Sequence, residues 1–154
     1  MVEVAFENAL RNKSMKKTVT ALILCGGKGE RLRPLTESIP KPLVRIRGRP
    51  ILSYLLDHVK KFGIENVVIA TGFQAEKIGV FFQENHRDLT VTIVNSGDVD
   101  IIERIKACAP HIAGDLILLY GDTLADVDFN RLQEFHYSHQ AQSTITLYPL
   151  KCQF

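Results

Sequence analysis

Apolar and polar residues follow one another in blocks along most of the chain, and these blocks predict strands separated by helices. Short, nearly continuous apolar runs have the length and composition of buried parallel strands. They cover residues 19–25, 67–71, 89–94, 116–120 and 144–148. Segments with apolar residues at helical spacing lie between them, at residues 50–62, 74–85, 99–109 and 129–137. Because parallel neighbours need a covering crossover segment, this order predicts an α/β fold with a doubly wound, mostly parallel sheet.

Two of the predicted helices carry further positional signals. In the segment 99–109, Ile101, Ile102 and Ile105 are expected to face the core, and Pro110 is expected to stop the helix. Asp128 precedes the helix predicted at 129–137 and is expected to act as its N-cap.

Length and charge limit the classes of protein that fit. The chain has 154 residues, a polar, Lys-rich lead-in at 1–17, and enough apolar sequence after it for one domain at 18–154. Its formal net charge of +2 is too small to predict nucleic-acid binding. No run approaches the length of a membrane span or a signal peptide, so no membrane association is expected.

The three cysteines, Cys25, Cys108 and Cys152, are odd in number and lack Cys-x-x-Cys spacing. Neither a disulfide framework nor a zinc site is indicated, and a reducing compartment is expected. Together with the absence of a targeting segment, this predicts a cytoplasmic protein. Cys25 itself is expected to be a small core residue rather than a nucleophile.

A glycine-rich, basic segment follows the first predicted strand. Gly26, Gly27 and Gly29 lie within four residues of one another, and glycine backbones can approach an anion closely. Between residues 28 and 49 the chain has seven Lys or Arg residues and two Glu residues. The spacing fits neither a G-x-G-x-x-G fingerprint nor a Walker A loop. The segment therefore predicts a polyphosphate site of another kind.

A second candidate lies beyond the fourth predicted strand, where Gly121 and Asp122 come directly after an apolar run. Ligands of open α/β sheets bind at the carboxyl ends of the strands, which places this carboxylate beside the glycine-rich segment. Mg²⁺ prefers one or two carboxylates together with substrate phosphate oxygens, so Asp122 is the predicted metal ligand. The alternative is that Asp122 is an ordinary turn residue. Asp126 and Asp128 are assigned to capping and left out of the site.

These motifs resemble a known family. Gly-Gly-x-Gly-x-Arg-Leu-x-Pro-Leu-Thr at 26–36, followed by Pro-Lys-Pro-Leu at 40–43, resembles the signature of the sugar-phosphate nucleotidyltransferases, also called nucleotide-sugar pyrophosphorylases. The segments 95–98 and 120–128 look most similar to the glucose-1-phosphate cytidylyltransferase branch. Two departures stand out: Glu30 replaces the usual Thr, and the nucleotide-binding Thr-Gly-Gly-Arg segment of that branch is replaced except for Arg104.

The resemblance implies a Rossmann-like nucleotidyltransferase fold and a reaction in which an NTP and a sugar 1-phosphate give an NDP-sugar and pyrophosphate. It assigns catalysis to Arg31, which would stabilise the leaving pyrophosphate, and to Lys41, which would bind the α-phosphate or the incoming phosphate. It assigns Mg²⁺ to Asp122. The nucleotide-binding residues it implies are Leu24, Gly26, Gly27, Lys28, Gly29, Glu30, Arg104 and Gly121. CTP or dTTP is the favoured nucleotide.

The resemblance covers residues 18–154 but only the N-terminal part of the family fold, since family members are usually longer. The expected process is nucleotide-sugar or surface-polysaccharide biosynthesis, and a homo-oligomer is compatible with the sequence. Two alternatives stay open: a catalytically silent nucleotide-binding or regulatory subunit, and a nucleotidyltransferase for phosphocholine or a heptose phosphate. The isolated chain is expected to bind an NTP with little turnover, and to expose the predicted strand 144–148 as a sheet edge.

Overall fold

The computed structural model describes residues 17–84 and 89–149. The chain divides into two compact units, Met1–Leu124 and Ala125–Phe154. The sequence predicted one domain at 18–154, and each unit contains part of it. The predicted N-terminal extension, residues 1–17, lies outside the described residues except for Lys17, and its boundary stays a prediction. No helix in the described part of the chain is long and apolar enough to cross a membrane.

The first unit is built on strands. They are β1 (Val19–Leu24), β2 (Arg45–Ile46), β3 (Arg49–Pro50), β4 (Asn66–Thr71), β5 (Thr90–Asn95) and β6 (Asp115–Tyr120). β5, β4, β1 and β6 form a parallel sheet in that order, and β2 and β3 form a separate antiparallel pair. The parallel sheet confirms the predicted α/β class. The short β2–β3 pair was not predicted, because two-residue strands carry no alternation signal.

Five α-helices accompany the strands within residues 17–84 and 89–149. They are α1 (Leu35–Ser38), α2 (Ile51–Lys61), α3 (Ala75–Glu84), α4 (Ile101–Cys108) and α5 (Phe129–Ser138). α2, α3 and α4 each connect two parallel strands, as the alternating blocks of sequence predicted. α5 belongs to the second unit, and the Asp128 side chain accepts hydrogen bonds from the amides of Asn130 and Arg131, at 3.0 and 3.1 Å. The predicted N-cap is therefore confirmed.

The central strand β1 fixes the position of everything at the carboxyl edge of the sheet. Leu24 pairs with Ala70 of β4 on one side and with Tyr120 of β6 on the other. The ends of β1, β4 and β6 are thus level with one another, and the loops that follow them emerge side by side. On one face of the sheet, Leu22, Val68 and Ala70 form a buried cluster with Cys108 of α4.

The face that α4 buries differs from the predicted one. Ile101 and Ile102 are 41% and 56% exposed, whereas Arg104 and Cys108 are buried and Ile105 packs against the core cluster. Periodicity alone favours the isoleucines. The guanidinium of Arg104 is buried because it has hydrogen-bond acceptors there, and hydrophobic periodicity does not detect such acceptors. The helix is therefore rotated relative to the predicted orientation.

The predicted fifth strand at 144–148 is wrong, since the structure assigns no strand to those residues. Ile145, Leu147 and Tyr148 are 78%, 88% and 84% exposed. The alternating Thr, Ile and Leu residues have high β propensity, but a strand forms only where a neighbouring strand pairs with its backbone groups. The described part of the second unit provides no such neighbour.

Candidate nucleotide site

A cavity of about 620 Å³ opens at the carboxyl edge of the parallel sheet in the first unit. It is lined by residues 24–32, by Lys41 and Pro42, by Asp98, Val99, Ile101 and Arg104, and by Tyr120 and Asp122. All the predicted site residues except Gly121 are in this lining. Gly121 is buried directly below it. The structure thus brings the two separate sequence motifs to one place.

The glycine-rich loop after β1 is held at both ends. Cys25 donates its amide to the Ala70 carbonyl at 2.7 Å, which continues the β1–β4 pairing into the loop. Gly29 has φ 66°, a left-handed conformation that side-chain-bearing residues avoid, and its carbonyl accepts a bond from the Thr36 hydroxyl at 2.8 Å. Nothing lies within 4 Å of a Cβ built on Gly27, so the middle of the loop adjoins open space.

Lys41 and Asp122 form an ion pair in the cavity wall. Lys41 begins a short 3₁₀ turn after Pro40, and Asp122 follows the end of β6. Partial burial acts to raise the pKa of Asp122, but the hydrogen bond and charge of Lys41 outweigh it, and the pKa falls below its ordinary value. The carboxylate is therefore fully ionised at neutral pH. About a third of each side chain is still exposed, so both groups remain accessible from the cavity.

Gly121 explains how Asp122 reaches this position. Its amide donates to the Leu24 carbonyl at 2.9 Å, and a Cβ at this position would lie 2.6 Å from the Cys25 sulfur. Only glycine lets the end of β6 approach β1 this closely. Gly121, which the resemblance implied as a nucleotide contact, thus helps to hold Asp122 in position.

Cys25 confirms its predicted role as a small core residue. It is 2% exposed. Burial raises the pKa of the thiol far above its usual range, and the nearby charge of Asp122 adds to this effect. The sulfur is thus kept as the neutral thiol, which is a poor nucleophile.

Two further ion pairs involve charged residues of the cavity lining. The Lys28 ammonium donates to the Asp98 carboxylate at 2.7 Å, joining the loop after β1 to the loop after β5. This hydrogen bond raises the pKa of Lys28 and lowers that of Asp98. Glu30, the unexpected acid, lies 3.5 Å from the Arg33 guanidinium. Arg31 is exposed and lines the cavity, so its charge faces the space where a phosphate would lie.

Arg104 lies under the loops rather than on the rim. It is 6% exposed, and its guanidinium donates to the Thr71 carbonyl, the Ser96 hydroxyl at 2.8 Å, and the carbonyls of Gly97 and Val99, each at 3.1 Å. The sequence predicted direct contact between Arg104 and nucleotide. The side chain does line the cavity, and its four hydrogen bonds hold the end of β4 and the turn after β5.

Sequence reasoning missed several lining residues. Asp98 lies in the Asn-Ser-Gly-Asp turn that follows β5, and Val99, Ile101 and Tyr120 contribute apolar surface. A signal for Asp98 was present, since this turn comes directly after a strand, where ligands of parallel sheets bind. The apolar residues carried no such signal, because their side chains also fit a helix or strand core.

Among the described residues, no group of three or more His, Cys, Asp and Glu side chains could hold a metal ion. The cavity lining contains three carboxylates: Asp122 pairs with Lys41, Asp98 with Lys28 and Glu30 with Arg33. One carboxylate combined with phosphate oxygens is a donor set that suits Mg²⁺, which keeps several waters and rarely uses all-protein cages. The residues present thus fit the predicted metal.

Comparisons with known proteins agree with this geometry. The family model for nucleotidyl transferases matches residues 20–153. The chain is 32% identical over 133 residues to a D-glycero-α-D-manno-heptose 1-phosphate guanylyltransferase of Aneurinibacillus thermoaerophilus, covering 85% of this chain and 58% of that protein. It is also 32% identical over 149 residues to a probable glucose-1-phosphate cytidylyltransferase of Bacillus subtilis, covering 82% and 59%.

Solved structures give the same result. The crystal structure of HddC from Yersinia pseudotuberculosis, complexed with GMP-PN, superposes with a TM-score of 0.68 at 26% identity, over 76% of this chain and 53% of that one. The chain thus spans less than three fifths of the length of these relatives. With the family model matching nearly all of the described sequence and the sugar-phosphate nucleotidyltransferase motifs lining one cavity, the chain belongs to the nucleotidyl transferase family.

Proposed function

We propose that this chain carries the nucleotide site of a Mg²⁺-dependent sugar-1-phosphate nucleotidyltransferase. The observation that carries the proposal is the meeting of the glycine loop, Arg31, Lys41 and Asp122 in one cavity at the carboxyl edge of the sheet. Family membership supports the same reaction class. The proposed reaction is NTP plus sugar 1-phosphate giving NDP-sugar plus pyrophosphate, in nucleotide-sugar biosynthesis.

The chemistry asks for charge neutralisation and positioning more than for a covalent intermediate. A phosphate oxygen of the sugar 1-phosphate attacks the α-phosphorus, and the bond to the bridging oxygen of pyrophosphate breaks in line. In this proposal the backbone of Gly26, Gly27 and Gly29 holds the nucleotide phosphates. Arg31 stabilises the charge that develops on the leaving pyrophosphate.

Lys41 has two roles in this scheme. Its ammonium pairs with Asp122. A bound nucleotide would offer this ammonium a phosphate oxygen in place of the carboxylate, and Asp122 would then be the residue that holds Mg²⁺. Mg²⁺, when bound, supplies a Lewis acid that neutralises phosphate charge. The remaining proposed nucleotide contacts are Leu24, Lys28 and Glu30. Gly121 is proposed to act through Asp122, and Arg104 is considered separately below.

The base and the sugar are a finer part of the proposal. The sequence motifs favoured CTP or dTTP, but a heptose 1-phosphate guanylyltransferase and a probable cytidylyltransferase match at the same 32% identity. GTP therefore joins CTP and dTTP in the proposed set, with a heptose 1-phosphate as a second acceptor beside glucose 1-phosphate. The Asp98 carboxylate at the rim accepts hydrogen bonds, which is compatible with the exocyclic amine of either guanine or cytosine.

The test begins with binding. The 154-residue chain is titrated by calorimetry with GTP, CTP, dTTP, UTP and ATP, each with and without Mg²⁺, and the expected result is binding of at least one of the first three that weakens when Mg²⁺ is withheld. Turnover is then measured as pyrophosphate release with glucose 1-phosphate, a heptose 1-phosphate and phosphocholine.

The outcomes separate the candidate functions. Because acceptor positioning supplies roughly 7–11 kcal/mol of assistance, we expect slow turnover from this chain and faster turnover from a version extended to the length of its relatives. Nucleotide binding with no pyrophosphate release in either version would instead support a catalytically silent nucleotide-binding or regulatory subunit. Absence of binding by all five nucleotides would contradict the proposed site.

A further inference from the structure

Among the charged residues that the structure describes, Arg104 is unusual because it is almost completely buried. Its guanidinium has five N–H donors in a rigid planar arrangement, and four acceptors are within reach. All four acceptors are neutral oxygens, and no carboxylate among the described residues forms an ion pair with it. A buried cation of this kind is stable only while these oxygens stay in place, so their loops and the side chain fix one another.

The acceptors come from two different loops. Thr71 ends β4, whereas Ser96, Gly97 and Val99 belong to the turn after β5. The Ser96 hydroxyl also donates to the Thr71 carbonyl at 3.2 Å, which closes a small network around the guanidinium. Arg104 thus holds together two of the loops at the edge where the cavity opens.

A third loop rests on the same side chain. A Cβ built on Gly26 would lie 2.1 Å from an Arg104 guanidinium nitrogen, and one built on Gly72 would lie 2.6 Å from it. The backbone of the glycine loop therefore packs directly on the guanidinium. Neither Gly26 nor Gly72 has a positive φ, so backbone strain does not account for these glycines. At Gly26 the space is taken by Arg104 alone, whereas at Gly72 the Gly97 carbonyl, 2.5 Å from a built Cβ, takes it together with Arg104.

We infer that Arg104 is a positioning residue for the nucleotide phosphates. Its guanidinium fixes the position of the Gly26 backbone in the loop, and its positive charge lies directly behind the backbone that would face the phosphates. This differs from the direct contact that the sequence predicted for Arg104. The inference rests on the proposed nucleotide site. It adds a residue that supports the glycine loop from beneath and places a positive charge behind it.

The experiment uses the whole 154-residue chain and inorganic tripolyphosphate with Mg²⁺ as the probe, because this ligand has no base. Wild type is compared with Arg104→Lys, Arg104→Gln, Gly26→Ala and the Gly26→Ala/Arg104→Gln double variant. Gly79→Ala is the matched control, since a Cβ there meets nothing within 4 Å. Affinity is measured by calorimetry, unfolding by denaturant, and amide exchange at Gly26, Gly72 and Gly97 by NMR.

Arg104→Lys keeps the charge but loses the planar donor set, and we expect it to weaken tripolyphosphate binding roughly tenfold while the chain stays folded. Arg104→Gln should weaken binding further. Gly26→Ala should also weaken it, and the double variant should lose less than the sum of the two single losses, because removal of the guanidinium makes room for the added methyl group. Amide exchange at the three glycines should quicken in both Arg104 variants.

Folded Arg104 variants that bind tripolyphosphate as wild type does, or strict additivity of the Gly26 and Arg104 changes, would overturn the inference. If Arg104→Gln fails to fold, Arg104→Lys and its amide exchange decide the question. Failure of the wild type itself to bind tripolyphosphate would count against the proposed function. The coupling of Gly26 to Arg104 in unfolding and in amide exchange would in that case still be measured, so the two failures are distinguishable.

Discussion

At the scale of single residues, the Lys41–Asp122 pair links the fold to the proposed chemistry. A pair whose side chains are about a third exposed contributes at most about 1 kcal/mol to stability. Because the pKa of Asp122 is lowered in the folded chain, this contribution is present above the ordinary pKa of aspartate and is lost as the pH falls through the lowered value. Such a weak pair is easily exchanged for a polyphosphate, which carries several negative charges.

Asp122→Asn should weaken the Mg²⁺ dependence of NTP binding and change the free energy of unfolding by no more than about 1 kcal/mol, because the carboxamide keeps the shape but loses the charge. The measurement is a Mg²⁺ titration of NTP binding, with Asp126→Asn as the control at an exposed carboxylate outside the cavity lining. Unfolding of the Asp122→Asn variant would favour the turn-residue alternative, and an unchanged titration would reject the ligand role.

Arg31→Ala should reduce turnover by about two to three orders of magnitude, the usual cost of removing one donor from a developing oxyanion. The fold should survive, since Arg31 is exposed on a loop. The assay is pyrophosphate release by a version of the chain extended to the length of its relatives. Arg131→Ala, at an exposed position of α5, is the matched control. Near-normal turnover of Arg31→Ala would remove Arg31 from the proposed mechanism.

At the scale of secondary-structure elements, α4 is the helix whose buried face differs from the face predicted by hydrophobic periodicity. The sequence predicted Ile101, Ile102 and Ile105 toward the core, and the structure buries Arg104 and Cys108 with Ile105 instead. The rotation exposes Ile101 at the cavity, where it contributes apolar surface beside Asp98. One side of α4 thus places Arg104 beneath the loops, and another side contributes Ile101 to the cavity lining.

This register is directly testable by truncating two isoleucines of α4. Ile102→Ala should change the free energy of unfolding by less than about 0.5 kcal/mol, because the side chain is mostly exposed. Ile105→Ala should cost about 2 kcal/mol, at the low end for a core isoleucine since Ile105 is only partly buried. Denaturant unfolding measures both values. A larger cost at Ile102 than at Ile105 would restore the register predicted from periodicity.

At the scale of the whole molecule, β5 and β6 are the two edge strands of the parallel sheet, and the segment 144–148 that the sequence indicated as an edge is not a strand. β6 pairs with β1 on one side, and no other described strand lies beyond it. Its Leu116 and Leu118 are each 41% exposed, and Tyr120 is 55% exposed. An edge strand with exposed apolar residues is a template for pairing with another chain.

We therefore expect the 154-residue chain to self-associate through β6 as its concentration rises, and Leu118→Lys to suppress this because a charge on the edge opposes strand pairing. Light scattering over a concentration series measures the effect. Val80→Lys places the same charge at a half-exposed position of α3 and is the control. A wild type that stays monomeric throughout, or equal suppression by the control, would contradict the role of β6.

The sequence by itself determined the α/β class, the four parallel strands, the capping of α5 and the residue types of the site. These features are local, because an apolar run, a glycine cluster or an N-cap is encoded within about ten neighbouring residues. Each depends mainly on backbone groups inside that short segment. The family motifs at 26–36 and 40–43 likewise contain most of the residues that line the cavity.

Tertiary structure decided what depends on partners far apart in sequence. The pairing of Lys41 with Asp122 joins residues 81 positions apart, and the four hydrogen bonds of Arg104 join the end of β4 to the turn after β5. The segment 144–148 had the composition of a strand and lacked a strand to pair with. Burial of a charge and formation of a strand are both settled by the acceptors and donors that a neighbour provides, and a one-dimensional pattern does not contain that neighbour.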